Sequence, residues 1–353
     1  MSMSKHKMPA IYNTYSESIL LPRLIRMSDN LILAKFELMK IVPAKYIIEA
    51  ALRSGKINPE IPIIETSSGT FALGMAIACA ELKLPFYVIS DPVIEPPLEQ
   101  QLIQLGGKVQ ILSHALQAHN PQEIRLNALQ EYLQAHPETF WTQQYDNPDN
   151  PNSYSSFANF LAENLGTQLT LVGAVGSGGS TCGTIKALRK FNAGIRLAGV
   201  DTFGSVLFGL PNQKRILRGL GNSLMPKNLD HSAFDEVHWV NANDAFQHTR
   251  KLFSEKGLFC GPTTGAAYQV ANWIAKKNPH ELVVCIAPDT GYRYQDTVYN
   301  DSWLAKNQLC SPITIHPAEV SHPSEANPNL GWSYLKWQRR SYQAMLGQIY
   351  DAK

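Results

Sequence analysis

The sequence predicts an α/β fold in which parallel sheets are flanked by helices. Three observations lead there. Short apolar runs alternate with helical patterns through most of the chain. The run at 169–175 is apolar without interruption, as in strands covered on both faces. Several runs end in turns rich in Gly, Ser, Thr or Asp, where open α/β sheets bind ligands.

Taken in order, strands are expected at 61–64, 85–89, 108–112, 169–175, 195–200 and 281–287. Helices are expected at 44–53, 70–82, 98–105, 121–135, 154–165, 182–190, 242–256 and 265–277. The stretch 145–154, rich in Asn, Pro, Asp and Ser, interrupts the alternation and reads as a crossing between domains. Residues 309–330 carry several prolines and no period. A helical pattern returns at 332–350, with Leu335, Tyr342, Leu346 and Ile349 on one face. That helix is read as packing on its own domain rather than as an arm reaching a partner.

The 353 residues, 44% of them hydrophobic, are enough for two domains with a sizeable core. Lys and Arg number 31 against 29 Asp and Glu, and a net charge of +2 leaves no footprint for nucleic acid. No run of about 18 apolar residues marks a membrane span. The first fifteen residues are polar and lack the apolar core of a secretion signal, so the cytoplasm is the expected compartment. Five cysteines, with no C-x-x-C pair, argue against a disulfide framework or a zinc site, and no metal is expected.

Four segments carry candidate chemistry. In the first, the strand 169–175 runs into Gly176, Ser177, Gly178, Gly179 and Ser180 and then into a helix. Glycines permit close backbone approach, and a helix N-terminus offers free N–H groups, so this loop reads as a phosphate cradle. No Lys follows Gly183, so it is not a P-loop. Asp201, closing the next strand, keeps a dinucleotide reading open. In the second, Ser67, Ser68, Gly69 and Thr70 open a helix after a strand, where hydroxyls and N–H groups suit a carboxylate. In the third, Pro288-Asp289-Thr290-Gly291 ends a buried strand. The fourth is Lys45, which with Glu49 and Arg53 also reads as a solvated i, i+4 stripe.

Together these segments resemble the cysteine synthase family of fold type II pyridoxal-phosphate enzymes, over about residues 20–304. Lys35-Phe36-Glu37 is similar to the family's Lys-x-Glu strand, and Gln144-Tyr-Asp-Asn-Pro-Asp-Asn150 to its Gln-Phe-x-Asn-Pro-x-Asn. Gly219-Leu-Gly-Asn-Ser-Leu-Met-Pro226, Gly261-Pro-Thr-Thr-Gly-Ala-Ala267 and Pro288-Asp-Thr-Gly-Tyr-Arg-Tyr294 resemble three further family segments in the right order.

The resemblance implies pyridoxal 5'-phosphate as cofactor, bound covalently at Lys45. The phosphate would rest on Gly176, Ser177, Gly178, Gly179 and Ser180, with Thr70 and Thr290 at the ring. It places Ser67, Ser68, Gly69, Phe71 and Gln144 at the substrate. A neutral Thr290 at the ring nitrogen would favour β-elimination and replacement over transamination. The implied division is a small domain at 43–150, a large domain of 16–42 plus 151–308, and a partly helical extension at 309–353. The implied activity is β-replacement on O-acetyl- or O-phospho-L-serine through an aminoacrylate, by a homodimer. The alternatives are an amine nucleophile giving a diaminopropionate-type product, net β-elimination, or a non-catalytic scaffold. The chain departs from the family at the approach to the lysine, 39–47, which is shorter, and at Thr70, Phe71 and Ala72, which replace Asn, Thr and Gly.

Overall fold

The computed structural model describes residues 11–117 and 120–347. Its strands are β1 (Arg23–Ser28), β2 (Leu31–Lys35), β3 (Ile63–Thr66), β4 (Phe86–Ser90), β5 (Lys108–Ile111), β6 (Leu169–Ala174), β7 (Arg196–Thr202), β8 (Glu236–Val240), β9 (Leu282–Ala287), β10 (Ala318–Glu319) and β11 (Trp332–Leu335). Its helices are α1 (Tyr15–Ser18), α2 (Ile41–Arg53), α3 (Thr70–Leu82), α4 (Pro96–Gln104), α5 (Pro121–Ala135), α6 (Asp149–Asn152), α7 (Ser155–Leu165), α8 (Gly179–Leu188), α9 (Ala242–Lys256), α10 (Pro262–Lys277), α11 (Asp301–Lys306) and α12 (Tyr342–Leu346).

Two sheets organise the chain. The larger has the order β1-β2-β9-β6-β7-β8-β11-β10, and the smaller is β3-β4-β5. From β2 to β8 all neighbours in the large sheet run parallel, as do all in the small one. The central strands β6 and β9 are almost wholly buried, which their unbroken apolar runs require. Adjacent parallel strands deliver their carboxyl ends to one edge, so the turns after β6 and β9 lie side by side.

Three strands escape the periodicity. β1 mixes polar with apolar residues and is half-exposed, and β2 is a short apolar run that begins after only two intervening residues. β8 contains Glu236 and His238, whose polarity masks a fully buried strand. The tail corrects a helical expectation. Trp332–Leu335 pairs antiparallel with β8, from Trp332 opposite Val240 to Leu335 opposite Val237, and only Tyr342–Leu346 is helical. An uncovered β8 edge would leave a row of backbone donors and acceptors unpaired, and closing that row outweighs local amphipathicity. Ile349 lies outside the described residues. The tail packs on its own chain, with Trp337 edge-on to Phe208 at 5.2 Å and Tyr342 against His231 at 4.7 Å. Among the described residues no helix is long and apolar enough to cross a membrane.

Candidate active site

The glycine loop after β6 is built as a cradle. Gly178 precedes α8 with φ +79, a conformation L side chains rarely adopt. A Cβ on Gly178 would fall 2.7 Å from Leu229 Cα, and one on Gly179 would fall 2.1 Å from Asn150 Oδ1. The backbone is therefore pressed against its walls, while the first amides of α8 remain without helical acceptors. Asn150 Oδ1 is buried and unpartnered beside it. Gly221 N donates to Val175 O at 2.9 Å and so stitches the 219–221 turn to the same edge.

Facing this edge is the turn before α3. Ser67 Oγ accepts from Gly69 N at 3.2 Å, and Ser68 Oγ accepts from Arg125 Nη1 at 3.3 Å. Thr70 begins α3 and is half-buried. Gln144 is buried, and its side chain donates to Thr66 O at 3.2 Å. Phe71 does not line the cleft. It is 2% exposed and packs in the main core, because the turn from Thr70 to Phe71 rotates it by about 100°.

The end of β9 supplies the third wall. Thr290 bridges Cys260, and Asp289 bridges Leu38. Asp289 is buried, which pushes its carboxyl up to about 6. Its Oδ2 accepts from Tyr294 at 2.8 Å, whereas Oδ1 has no partner. Asp201 is fully buried at the end of β7, and burial pushes its carboxyl up to about 7. Its Oδ1 accepts from Thr202 N at 2.8 Å, and its side chain is closed off from solvent.

The lysine is where the structure departs most from the sequence reading. Lys45 lies about 140° round α2 from Lys40. Its Nζ donates to Ser16 Oγ at 2.7 Å and pairs with Glu81 at 3.4 Å and Glu49 at 3.6 Å. Glu81 lies eleven residues beyond Thr70 in α3, about 16 Å along the helix from the cleft. Lys45 is thus held away from the other site residues.

Lys40, not singled out in the sequence, stands at the N-cap of α2, two residues after the Leu38–Asp289 bridge. Met39 N donates to Pro288 O at 2.8 Å, and Lys40 O would lie 2.8 Å from a Cβ on Gly74 of α3. Its own side chain has no hydrogen bond or ion pair among the described residues. Burial lowers its ammonium to about 8. The signal that could have found it was the shortened approach at 39–47, which leaves two lysines as candidates. A desolvated amine, unpaired among the described residues and held at the end of β9, suits a carbonyl cofactor.

The family described as pyridoxal-phosphate dependent enzyme matches residues 39–289. The chain belongs to it. The enzyme is 34% identical over 298 residues to an N-(2-amino-2-carboxyethyl)-L-glutamate synthase of Cupriavidus metallidurans, covering 81% of this chain and 87% of that relative. It is 33% identical to the protein of that name in Ralstonia nicotianae, covering 75% and 79%. In fold it is similar to the O-acetylserine dependent cystathionine beta-synthase from Helicobacter pylori, with a TM-score of 0.76 at 24% identity over 83% of this chain and 100% of that one. The enzyme's cofactor is therefore pyridoxal 5'-phosphate, and its fold is that of the fold type II enzymes.

Arginines that the sequence did not single out line the cleft mouth. Arg125 of α5 pairs with Asp91 at 3.2 Å and is almost buried. Arg293 Nε donates to Glu95 at 3.1 Å, and its Nη1 would lie 3.8 Å from a Cβ on Gly69. Arg218, just before the 219–221 turn, is exposed. It feels the charges of Asp91, Arg125 and Glu95 without bonding to any of them. Ser223 Oγ bonds Gln122 Oε1 at 2.9 Å and so brings this loop against α5.

Proposed function

We propose that this enzyme replaces the β-substituent of an activated L-serine, carrying acetyl or phosphate on Oγ, with an incoming nucleophile. The observation that carries the reading is Lys40, unpaired among the described residues and held against the end of β9, next to the strand that ends in the glycine loop. Gly176–Ser180 would hold the cofactor's phosphate through backbone N–H groups, and Thr70 and Thr290 flank the ring site. Ser67, Ser68, Gly69 and Gln144 would receive the amino acid's carboxylate. When bound, the cofactor supplies an electron sink that weakens the Cα–H and Cβ–O bonds. Lys40 Nζ would hold it covalently, be released by the substrate amine, and then take the α-proton. A domain division at 43–150 against 16–42 plus 151–308 would put this cleft between the small and large sheets.

For the nucleophile we favour the amine of an amino acid with an acidic side chain over sulfide. Three arginines face two acids at the cleft mouth, which leaves Arg218 as uncompensated positive charge, and the two relatives above are named for a glutamate product. Incubating the enzyme with O-phosphoserine or O-acetylserine and either L-glutamate or sulfide, with products read by mass spectrometry, tests this choice. A sulfide product alone would refute it. Arg218→Ala is expected to raise KM for L-glutamate about tenfold or more while leaving the reaction with sulfide nearly unchanged. Equal losses with both nucleophiles would remove Arg218 from acceptor recognition. We also propose a cytoplasmic homodimer, for which light scattering should give twice the chain mass.

A further inference from the structure

We infer that Glu65 is a positioning residue that holds the two halves of the substrate-carboxylate site together. This rests on the reading that Ser67, Ser68, Gly69 and Gln144 receive that carboxylate. Glu65 is the third residue of β3 and is completely buried, and among the described residues no basic side chain pairs with it. It collects four donors instead. Oε1 accepts from Thr66 N at 2.7 Å and Trp141 Nε1 at 3.1 Å, and Oε2 accepts from Thr142 Oγ1 at 2.5 Å and Gln144 N at 3.0 Å.

These donors come from two segments far apart in sequence. Thr66 opens the Ser67–Gly69 turn. Trp141, Thr142 and Gln144 belong to a strap that runs beside β3, with Ile64 N donating to Phe140 O at 2.9 Å and Thr142 N to Ile64 O at 3.3 Å. Gln144 closes the ring by donating its side-chain amide back to Thr66 O. One carboxylate thus fixes the backbone of the turn and the backbone of Gln144 in a single frame. Burial pushes the Glu65 carboxyl up, and the four donors offset that only in part by favouring the anion. A buried anion held only by neutral donors is costly, and a plain core position would be filled more cheaply by an apolar residue.

The frame matters because the substrate's carboxylate must find its donors already in place. Glu65→Gln keeps the volume but replaces one acceptor oxygen with an NH2 group facing donors. The test uses the cofactor-loaded enzyme and two probes without a β leaving group, L-alanine and L-alaninamide. Binding is followed by the change in cofactor absorbance. The wild type is expected to prefer the free acid, and Glu65→Gln to lose about tenfold of that preference. A merely structural loss would weaken both probes in proportion, and that result would overturn the inference. If the wild type itself does not distinguish the probes, the carboxylate-site reading falls instead. Thr142→Val removes one of the four donors and keeps the carboxylate, so it decides the matter if Glu65→Gln fails to accumulate. A smaller loss of the same preference is expected there, and an unchanged preference would overturn the inference.

Discussion

Replacing Lys40 by alanine is expected to abolish covalent capture of pyridoxal phosphate and the β-replacement activity together, whereas Lys45→Met keeps both. The two lysines are five residues apart on one helix but live in different electrostatic surroundings. Lys45 is held by Ser16, Glu49 and Glu81, so its amine is occupied. Lys40 has no such partner, and burial lowers it to about 8. The neutral amine is the form that attacks a carbonyl, so the rate at which apoenzyme takes up cofactor should climb as pH rises through about 8 and then level off. Loss of the proton-moving amine is expected to cost activity a further hundredfold to ten-thousandfold, roughly, beyond any loss of cofactor. Lys45→Met removes a partner from Glu81 and Ser16, a stability cost of about 1 kcal/mol, without touching the cleft. Borohydride reduction followed by peptide mass mapping reads the result directly. Cofactor found on the peptide bearing Lys45, or retained in Lys40→Ala, would refute the assignment.

Gly178→Ala is expected to cost the enzyme its cofactor while leaving the apoenzyme folded. Two penalties add at this position. A side chain at φ +79 costs about 1–2 kcal/mol. The new Cβ also falls 2.7 Å from Leu229 Cα and 2.8 Å from Asn228 O, both backbone atoms that cannot rotate aside. The loop must therefore move, and the amides that would meet the phosphate move with it. An affinity loss of about tenfold to a hundredfold follows from 1.4 kcal/mol per factor of ten. Gly166→Ala is the control. It has the same φ of +79, but nothing lies within 4 Å of its Cβ. That variant should lose a little thermal stability and bind cofactor normally. Equilibrium dialysis of both variants separates the cases, and wild-type affinity in Gly178→Ala would mean that this loop does not hold the phosphate.

The architecture was legible because its signals are local. Continuous apolar runs between helical periods specify buried parallel strands, and Gly178 and Gly179 mark a turn that has no room for side chains. The turn at 67–70 was equally plain, since Ser and Gly before a helix announce a cap. Glu65 was not legible, because its four donors include three from a strap more than seventy residues away. Arg125 and Arg218 were silent for the same reason, each being an ordinary surface residue until Asp91, Glu95 and Ser68 are brought beside it.

The choice between Lys40 and Lys45 shows where that boundary lies. The sequence by itself determined the fold type, a glycine loop after β6, a Ser- and Gly-rich turn before α3 and the presence of a lysine near the start of α2. Which lysine is free was decided only by tertiary structure. A rotation of about 140° around α2 carries one amine to Glu81 and Ser16 and leaves the other at the end of β9, without a partner among the described residues. Burial and pairing depend on partners distant in the chain, so no local pattern encodes them.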